Sequence, residues 1–207
     1  ASFRVIKNAI DIDRFKYNEK TRADVRRKLG IEDKLVLGHV GRFELQKNHD
    51  FILDIFHSVH QINPKTALLL IGEGELEDKM KKKADELGLK DSVFFLGTMN
   101  DCAPYYQAMD AFALPSLYEG LGMVAIEAQA AGLPCFLSDR VPKETAITDS
   151  VYTLSLEQTL DEWAEFILEK VTKNKRKDES VKIREAGYDI ELEAEKLMGI
   201  YDELIER

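Results

Sequence analysis

The chain has 207 residues, enough for one large domain or at most two small ones, and 44% of them are hydrophobic, which is ordinary for a globular core. Its formal net charge of −9 argues against nucleic acid and anionic lipid as partners, because an acidic surface attracts neither. Two cysteines, Cys102 and Cys135, are too few for a disulfide framework or a zinc site, so we expect both as reduced thiols.

The location of the protein is indicated by patterns that the sequence lacks. Its apolar runs are too short to span a bilayer, and no signal-peptide pattern is visible. We therefore expect a cytoplasmic protein. Because the chain starts at Ala1 rather than at a methionine, we also expect further sequence upstream.

Short apolar runs alternate with helical patterns along the chain. They predict strands at residues 35–40, 67–71, 93–96, 111–114, 135–137 and 151–154. Helices are predicted at residues 51–62, 76–87, 103–109, 123–131, 159–172, 175–185 and 190–205. The strands are apolar on both faces, as in a parallel sheet that helices cover on both sides. The pattern predicts an α/β fold with a Rossmann-like, doubly wound, six-stranded parallel sheet.

Ligands of such sheets bind beyond the carboxyl ends of the strands. The loops at this edge comprise residues 41–48, 72–74, 97–101 and 115–122, and three charged side chains that suit chemistry fall on them: Arg42, Lys47 and Glu119. Arg42 and Lys47 flank a turn before a helix, where two cations suit a diphosphate. The alternative is a pair of solvated surface charges, and their position after a strand favours binding.

The strongest signal is the segment 119–127. Gly120 and Gly122 allow a ligand to approach the backbone closely, and free amides at the start of the following helix can hold phosphate oxygens. Glu127 lies between Ile126 and Ala128 in an apolar helix, where a carboxylate needs hydrogen-bond donors. Ribose hydroxyls would supply them. The alternative is a buried Arg or Lys partner, and none is obvious nearby.

These residues resemble a known family. Glu119 and Glu127 match the E-x7-E motif of the family-four, or group one, glycosyltransferases, and residues 41–48 resemble the family's G-R-x(n)-K-N phosphate loop. Three further segments resemble the family in order: its opening strand and turn at residues 5–11, and the stretches 70–74 and 93–97. The stretch 114–134 is the closest match, and the sequence as a whole is most similar to bacterial enzymes of capsular or exopolysaccharide assembly.

The resemblance implies that residues 1–207 form one nucleotide-sugar-binding domain, the carboxyl-terminal half of a GT-B fold, without the amino-terminal half that binds the acceptor. By the same resemblance, the last helix, about residues 190–205, docks on that other half. The departures are Ala9, where many members have glycine, and residues 140–143, which replace a glycine-rich turn.

Site roles also follow from the resemblance. The predicted catalytic residues are Arg42, Lys47 and Glu119. Arg42 and Lys47 would hold the donor diphosphate, and Glu119 would contact the hydroxyls of the donor sugar. Glu127 would contact the ribose. The remaining donor-binding residues are Gly120, Leu121, Gly122, Met123 and Val124 around the phosphates, and Thr98 and Met99 near the base.

The implied activity is transfer of a sugar, with retained configuration, from a nucleoside diphosphate sugar, preferably a UDP-sugar, to a polysaccharide or lipid-linked acceptor. No cofactor and no metal are expected, and no nucleic acid. Peripheral membrane association of the full-length enzyme stays open. So do three alternatives: a non-catalytic nucleotide-binding module, a nucleotide-sugar epimerase and a phosphorylase of the same fold.

Other motifs carry less weight. Asp11 and Asp13 form a D-x-D pattern, which we interpret as part of a surface turn rather than a metal site. His39 lies in the first strand and is interpreted as a core or edge residue, whereas His49 either caps the next helix or touches ligand. The chain has neither G-x-G-x-x-G after its first strand nor G-x-x-x-x-G-K-[ST], which argues against nicotinamide dehydrogenases and P-loop enzymes.

Overall fold

A computed structural model of the protein describes residues 6–205. Within them, six strands form one sheet in the order β3-β2-β1-β4-β5-β6, and all neighbours are parallel. The strands are β1 (Leu35–Val40), β2 (Thr66–Ile71), β3 (Val93–Phe95), β4 (Ala111–Leu114), β5 (Cys135–Ser138) and β6 (Val151–Leu154). This is the strand order of the doubly wound Rossmann fold, so the predicted fold class is confirmed.

Helices cover both faces of the sheet. They are α1 (Ile12–Phe15), α2 (Glu19–Leu29), α3 (His49–Ile62), α4 (Glu77–Glu86), α5 (Ala103–Ala108), α6 (Met123–Ala130), α7 (Leu160–Lys173), α8 (Ser180–Glu185) and α9 (Ile190–Ile205). Two 3₁₀ turns lie at Leu45–Lys47 and Lys143–Thr145. Within residues 6–205, no helix has the length and apolar character that crossing a bilayer requires.

The core has two layers, one on each face of the sheet. One layer joins the sheet to side chains of α3, α4 and α7, of which Phe56, Met80 and Trp163 are examples. The other joins it to α1, α5, α6 and α8 through residues such as Phe15 and Ile126. Both faces of the inner strands β2, β4 and β5 are therefore buried, which explains their continuously apolar sequences, whereas the edge strand β6 exposes Thr153.

The predicted helix over residues 175–185 is wrong in its first half, because helix α8 starts only at Ser180. The Arg176 guanidinium donates to the carbonyls of Tyr106 and Met109 at the end of α5, the first of these at 3.1 Å. Gly132 approaches this stretch so closely that an added Cβ would lie 2.6 Å from the Lys177 carbonyl oxygen. These contacts hold the segment against the domain, and its conformation is not helical.

The opening segment differs from the strand that the resemblance implied over residues 5–11. Val5 lies outside the described residues. From Ile6 onward, the segment forms one isolated bridge, in which Ile10 pairs in parallel with Asp189 at the start of α9. Ile10 receives a hydrogen bond from the Ile190 amide at 3.0 Å and donates one to the Tyr188 carbonyl at 2.9 Å.

Candidate functional site

The site lies where the winding of the sheet reverses, between β1 and β4. These strands are neighbours, and the helices that follow them, α3 and α6, pack on opposite faces of the sheet. Such a reversal opens a crevice at the carboxyl ends of the strands. Two hydrogen bonds join its walls: the Leu117 amide donates to the Gln46 carbonyl at 2.9 Å, and the Asn48 side chain donates to the Pro115 carbonyl at 3.1 Å.

Lys47 and Glu119, which are 72 residues apart in sequence, form an ion pair in this crevice. Lys47 Nζ lies 2.6 Å from Glu119 Oε1, and the side chains are only 16% and 5% exposed. Ser116 Oγ donates to the same carboxylate oxygen at 2.7 Å, and Gln46 Nε2 makes a longer contact of 3.4 Å with the other oxygen. A buried carboxylate is thus satisfied by one cation and two neutral donors.

Arg42, the other predicted cation, does not join this pair. Its side chain is 76% exposed, and its Nε lies 3.1 Å from the Glu44 carboxylate. Because an ion pair this exposed contributes little free energy, Arg42 is free to turn towards an anion in the crevice. The structure therefore places Arg42 at the rim and Lys47 inside.

The loop that carries Arg42 is positioned by close backbone contacts with the loop after β2. A Cβ added to Gly72, whose φ is +139°, would lie 2.1 Å from the Gly41 carbonyl oxygen. One added to Gly74 would lie 2.7 Å from the amide nitrogen and the carbonyl oxygen of Phe43. The two predicted loops, 41–48 and 72–74, are therefore one packed unit that only glycine allows.

The start of α6 faces the same crevice. Gly122 precedes the helix with φ +74° and supplies no side-chain cap, so the Met123 and Val124 amides at the helix start receive no such cap, whereas the Ala125 amide donates to the Gly122 carbonyl at 2.8 Å. Thr145 Oγ1 donates to the Leu121 carbonyl at 2.5 Å, and Val141 packs beside Gly122. The unusual 140–143 segment therefore covers the glycine turn.

Glu127 has a partner that the sequence did not indicate. The Tyr106 hydroxyl donates to Glu127 Oε2 at 2.8 Å and also lies 3.1 Å from the Val124 carbonyl. Burial raises the pKa of Glu127, and the hydrogen bond from Tyr106 opposes that rise. One carboxylate oxygen is engaged by Tyr106, and the side chain lines a cavity of about 540 Å³ between the opening segment, α6 and α9. No spacing in the sequence relates Tyr106 to Glu127.

The loop after β3 completes this edge. Its Gly97 carbonyl accepts a hydrogen bond from the Gly72 amide at 2.9 Å, which joins it to loops 41–48 and 72–74, here called the glycine loops. Thr98 is exposed, whereas Met99 is half-buried and packs on the core. The Asp101 carboxylate, just before α5, accepts a hydrogen bond from the Ala103 amide at 2.9 Å.

Two histidines lie beneath the loop that carries Lys47. His39 is fully buried and contacts the Ala113 carbonyl through Nδ1 at 2.8 Å, as expected of a core residue. His49 is buried at the start of α3, with its ring 4.7 Å from that of His39 and stacked 4.0 Å from Phe43. Burial, with a smaller effect of Lys47, lowers the pKa of His49 to about 4, so the ring is neutral at pH 7.

The D-x-D aspartates have a structural setting. Asp11 is the N-cap of α1, where its carboxylate accepts a hydrogen bond from the Arg14 amide at 3.2 Å. Asp13 lies in the first turn of the same helix, where a negative charge is favourable.

Comparison with known proteins identifies the family. The model of the family described as "Glycosyl transferases group 1" matches residues 21–189, which include the ion pair, the glycine loops and Glu127. The chain belongs to this family. The resemblance read from the sequence motifs is therefore confirmed.

Relatives of this group 1 glycosyltransferase chain extend further than the chain itself. The chain is 34% identical over 202 residues to EpsF of Bacillus subtilis (strain 168), and the match covers 96% of the chain and 53% of EpsF. It is 33% identical over 140 residues to the Escherichia coli UDP-Gal:alpha-D-GlcNAc-diphosphoundecaprenol alpha-1,3-galactosyltransferase, covering 65% of the chain and 36% of that enzyme. The chain thus spans about half the length of EpsF.

A solved structure shows the same fold. Anabaena HepE, crystallised with UDP, superposes with a TM-score of 0.80 at 21% identity, over 97% of this chain and 57% of HepE. The fold is that of one half of a GT-B glycosyltransferase. The individual roles of the site residues stay predictions.

Proposed function

We propose that the chain is the donor-binding half of a retaining glycosyltransferase that uses a UDP-sugar. The observation that carries this proposal is the Lys47–Glu119 ion pair, 2.6 Å long, in the crevice where a doubly wound sheet binds its ligand. Next to it are the uncapped amides of α6, which suit phosphate oxygens. The UDP in HepE and the UDP-galactose in the name of the E. coli relative support the choice of UDP.

The chemistry that we propose breaks the bond between the anomeric carbon of the sugar and the diphosphate. Lys47, Arg42 and the first-turn amides of α6 stabilise the negative charge that develops on the leaving group. Glu119 orients the sugar through its hydroxyls, and Glu127 binds the ribose. The acceptor oxygen bonds to the anomeric carbon, and its proton passes to an oxygen of the departing phosphate, so this half needs no separate base. Because the cations and amides neutralise the diphosphate, the proposal includes no metal.

The acceptor is a polysaccharide or a lipid-linked sugar in this proposal, held by an amino-terminal half. The name of the E. coli relative, which acts on a diphosphoundecaprenol-linked sugar, supports this class. A lipid-linked acceptor would bring the whole enzyme to the cytoplasmic face of a membrane. Helix α9 would dock on the second half, because it presents Met198, Tyr201, Leu204 and Ile205 to solvent.

Binding of UDP to the 207-residue chain tests the proposal. Calorimetry without added metal should show binding that Lys47→Ala weakens about tenfold or more, since a charged hydrogen bond contributes about 1.5–3 kcal/mol. Arg42→Ala should act in the same direction. The control is Lys82→Ala, which removes an equal charge from an exposed i,i+4 pair on α4.

Two results would contradict the proposal. If both variants bind UDP as tightly as the parent, the phosphate site is elsewhere. If the parent binds GDP or ADP but not UDP, the donor class is wrong although the site stands.

A further inference from the structure

The two charges inside the site, on Lys47 and Glu119, neutralise each other. In the proposed function, Lys47 binds the donor diphosphate and Glu119 binds the donor sugar. In the structure these two residues pair with each other, with Lys47 Nζ 2.6 Å from Glu119 Oε1. Both side chains are largely withdrawn from water, where opposite charges attract strongly and like charges repel strongly. A diphosphate that contacts Lys47 must therefore compete with this carboxylate.

Glu119 is held by neutral donors that do not depend on Lys47. Ser116 is fully buried, and its Oγ donates to Glu119 Oε1 at 2.7 Å. Ser138 Oγ donates to the Ser116 carbonyl at 2.6 Å, which fixes the Ser116 backbone. Gln46 Nε2 donates to the Tyr118 carbonyl at 3.1 Å and lies within 3.4 Å of the carboxylate. The carboxylate therefore stays in place when the ammonium moves.

The stem of Lys47 is packed between its neighbours, and only the end of the side chain lies beyond that contact. A Cβ added to Gly41 would lie 3.1 Å from both Cγ and Cδ of Lys47 and 2.8 Å from His39 Nε2, so the stem packs tightly against the Gly41 backbone. Only the last bonds of the side chain are free to redirect the ammonium. A short rotation can therefore exchange one anionic partner for another.

We propose, on the basis of the proposed function, that the donor binds by an exchange of partners. When the donor binds, the Lys47 ammonium pairs with the diphosphate instead of Glu119. The Glu119 carboxylate then accepts hydrogen bonds from the sugar hydroxyls. UDP alone supplies the first interaction but not the second, and it leaves Glu119 buried without its cation. Glu119 is thus a specificity-determining residue that disfavours the UDP product relative to the intact donor and so promotes product release.

The test is the affinity for UDP, measured by calorimetry at constant pH and salt. Glu119→Gln keeps the shape of the side chain but removes its negative charge, so Lys47 no longer has a competing anionic partner. The affinity for UDP should therefore rise about tenfold. In a Lys47→Met background the same substitution should have a clearly smaller effect, because the competition for the ammonium has gone and only the repulsion between the carboxylate and the diphosphate remains. Ser116→Ala should weaken UDP binding several-fold, because the carboxylate then depends more on Lys47.

The control is Glu44→Gln, which makes the same charge change on the loop that carries Lys47. Glu44 pairs with the exposed Arg42, and such pairs contribute little, so UDP affinity should change less than about twofold. If Glu119→Gln does not fold, the Ser116→Ala result decides alone.

Unchanged or weaker UDP binding by folded Glu119→Gln would overturn the exchange and leave the proposed function intact. Equal binding by the parent and Ser116→Ala would also overturn it. Absence of UDP binding by the parent would instead contradict the proposed function.

Discussion

His39 and His49 make stability depend on pH in a predictable direction. Burial lowers the pKa of His39 well below 6.5 and that of His49 to about 4. The unfolded chain, with a histidine pKa of about 6.5, binds more protons between these values. The free energy of unfolding should therefore fall as pH drops below 6.5, by up to about 1.4 kcal/mol per pH unit for each histidine.

The variant His49→Phe tests this, because it keeps the stacking on Phe43 and removes one titrating group. Urea unfolding at pH 7.5, 6.5 and 5.5 should give a shallower loss of stability for the variant than for the parent. The raised pKa of Glu127 has the opposite effect on the slope, but it is common to both proteins. An equal dependence of stability on pH in the two proteins would show that the pKa of His49 is the same in the folded and unfolded states.

At the scale of single residues, the sequence predicted which groups matter better than how they are paired. The predicted Lys47 and Glu119 do share one site, because the carboxyl ends of β1 and β4 adjoin. Their direct contact was not predictable, since 72 residues separate them. The partner of Glu127 was not predictable either, since it is Tyr106, a tyrosine on another helix rather than an Arg or Lys.

At the scale of elements, the contact between the glycine loops carries a second stability prediction. Gly72→Ala forces φ +139° on a residue with a Cβ and places that atom 2.1 Å from the Gly41 carbonyl oxygen. We expect a loss of at least about 2 kcal/mol in the free energy of unfolding, together with weaker UDP binding, because the phosphate loop must move. Urea unfolding and calorimetry measure the two effects.

The matched control is Gly199→Ala in α9, where an added Cβ has no neighbour within 4 Å. Because alanine favours a helix more than glycine does, this change should be neutral or stabilise by up to about 1 kcal/mol. Equal stability of Gly72→Ala and the parent would mean that the two loops are not rigidly packed.

The elements that sequence patterns predicted are those that bury apolar residues. All six strands were found because each contains a short apolar run, of which Thr66–Ile71 is the longest aliphatic example. No element was predicted over α1 and α2. Helix α2 is mostly charged and is held through arginines, with Arg26 donating to the Ala108 carbonyl at 2.9 Å and Arg22 paired with Asp110 at 2.5 Å. Hydrophobic periodicity does not detect such a helix.

At the scale of the whole molecule, α9 is the feature that the domain itself does not explain. Its apolar residues Met198, Tyr201, Leu204 and Ile205 are all more than half exposed. Relatives such as EpsF are almost twice as long as the part that this chain matches, which is 53% of EpsF. The second half that we propose would cover this helix face and bring the acceptor to the donor.

This arrangement predicts a division between binding and transfer. The 207-residue chain should bind UDP yet transfer no radiolabelled sugar to an acceptor, because transfer needs acceptor groups from the other half and closure to exclude water. Joined to the amino-terminal half of its full-length protein, it should become active. Tyr201→Ser with Leu204→Ser should then reduce transfer about tenfold or more while UDP affinity stays unchanged, since burying each side chain contributes roughly 1.5–3 kcal/mol. The control is Lys173→Ser, an exposed change on α7, which should leave transfer as it was. Robust transfer by the 207-residue chain alone, or full activity of the joined α9 variant, would show that this helix face serves no interface between two halves.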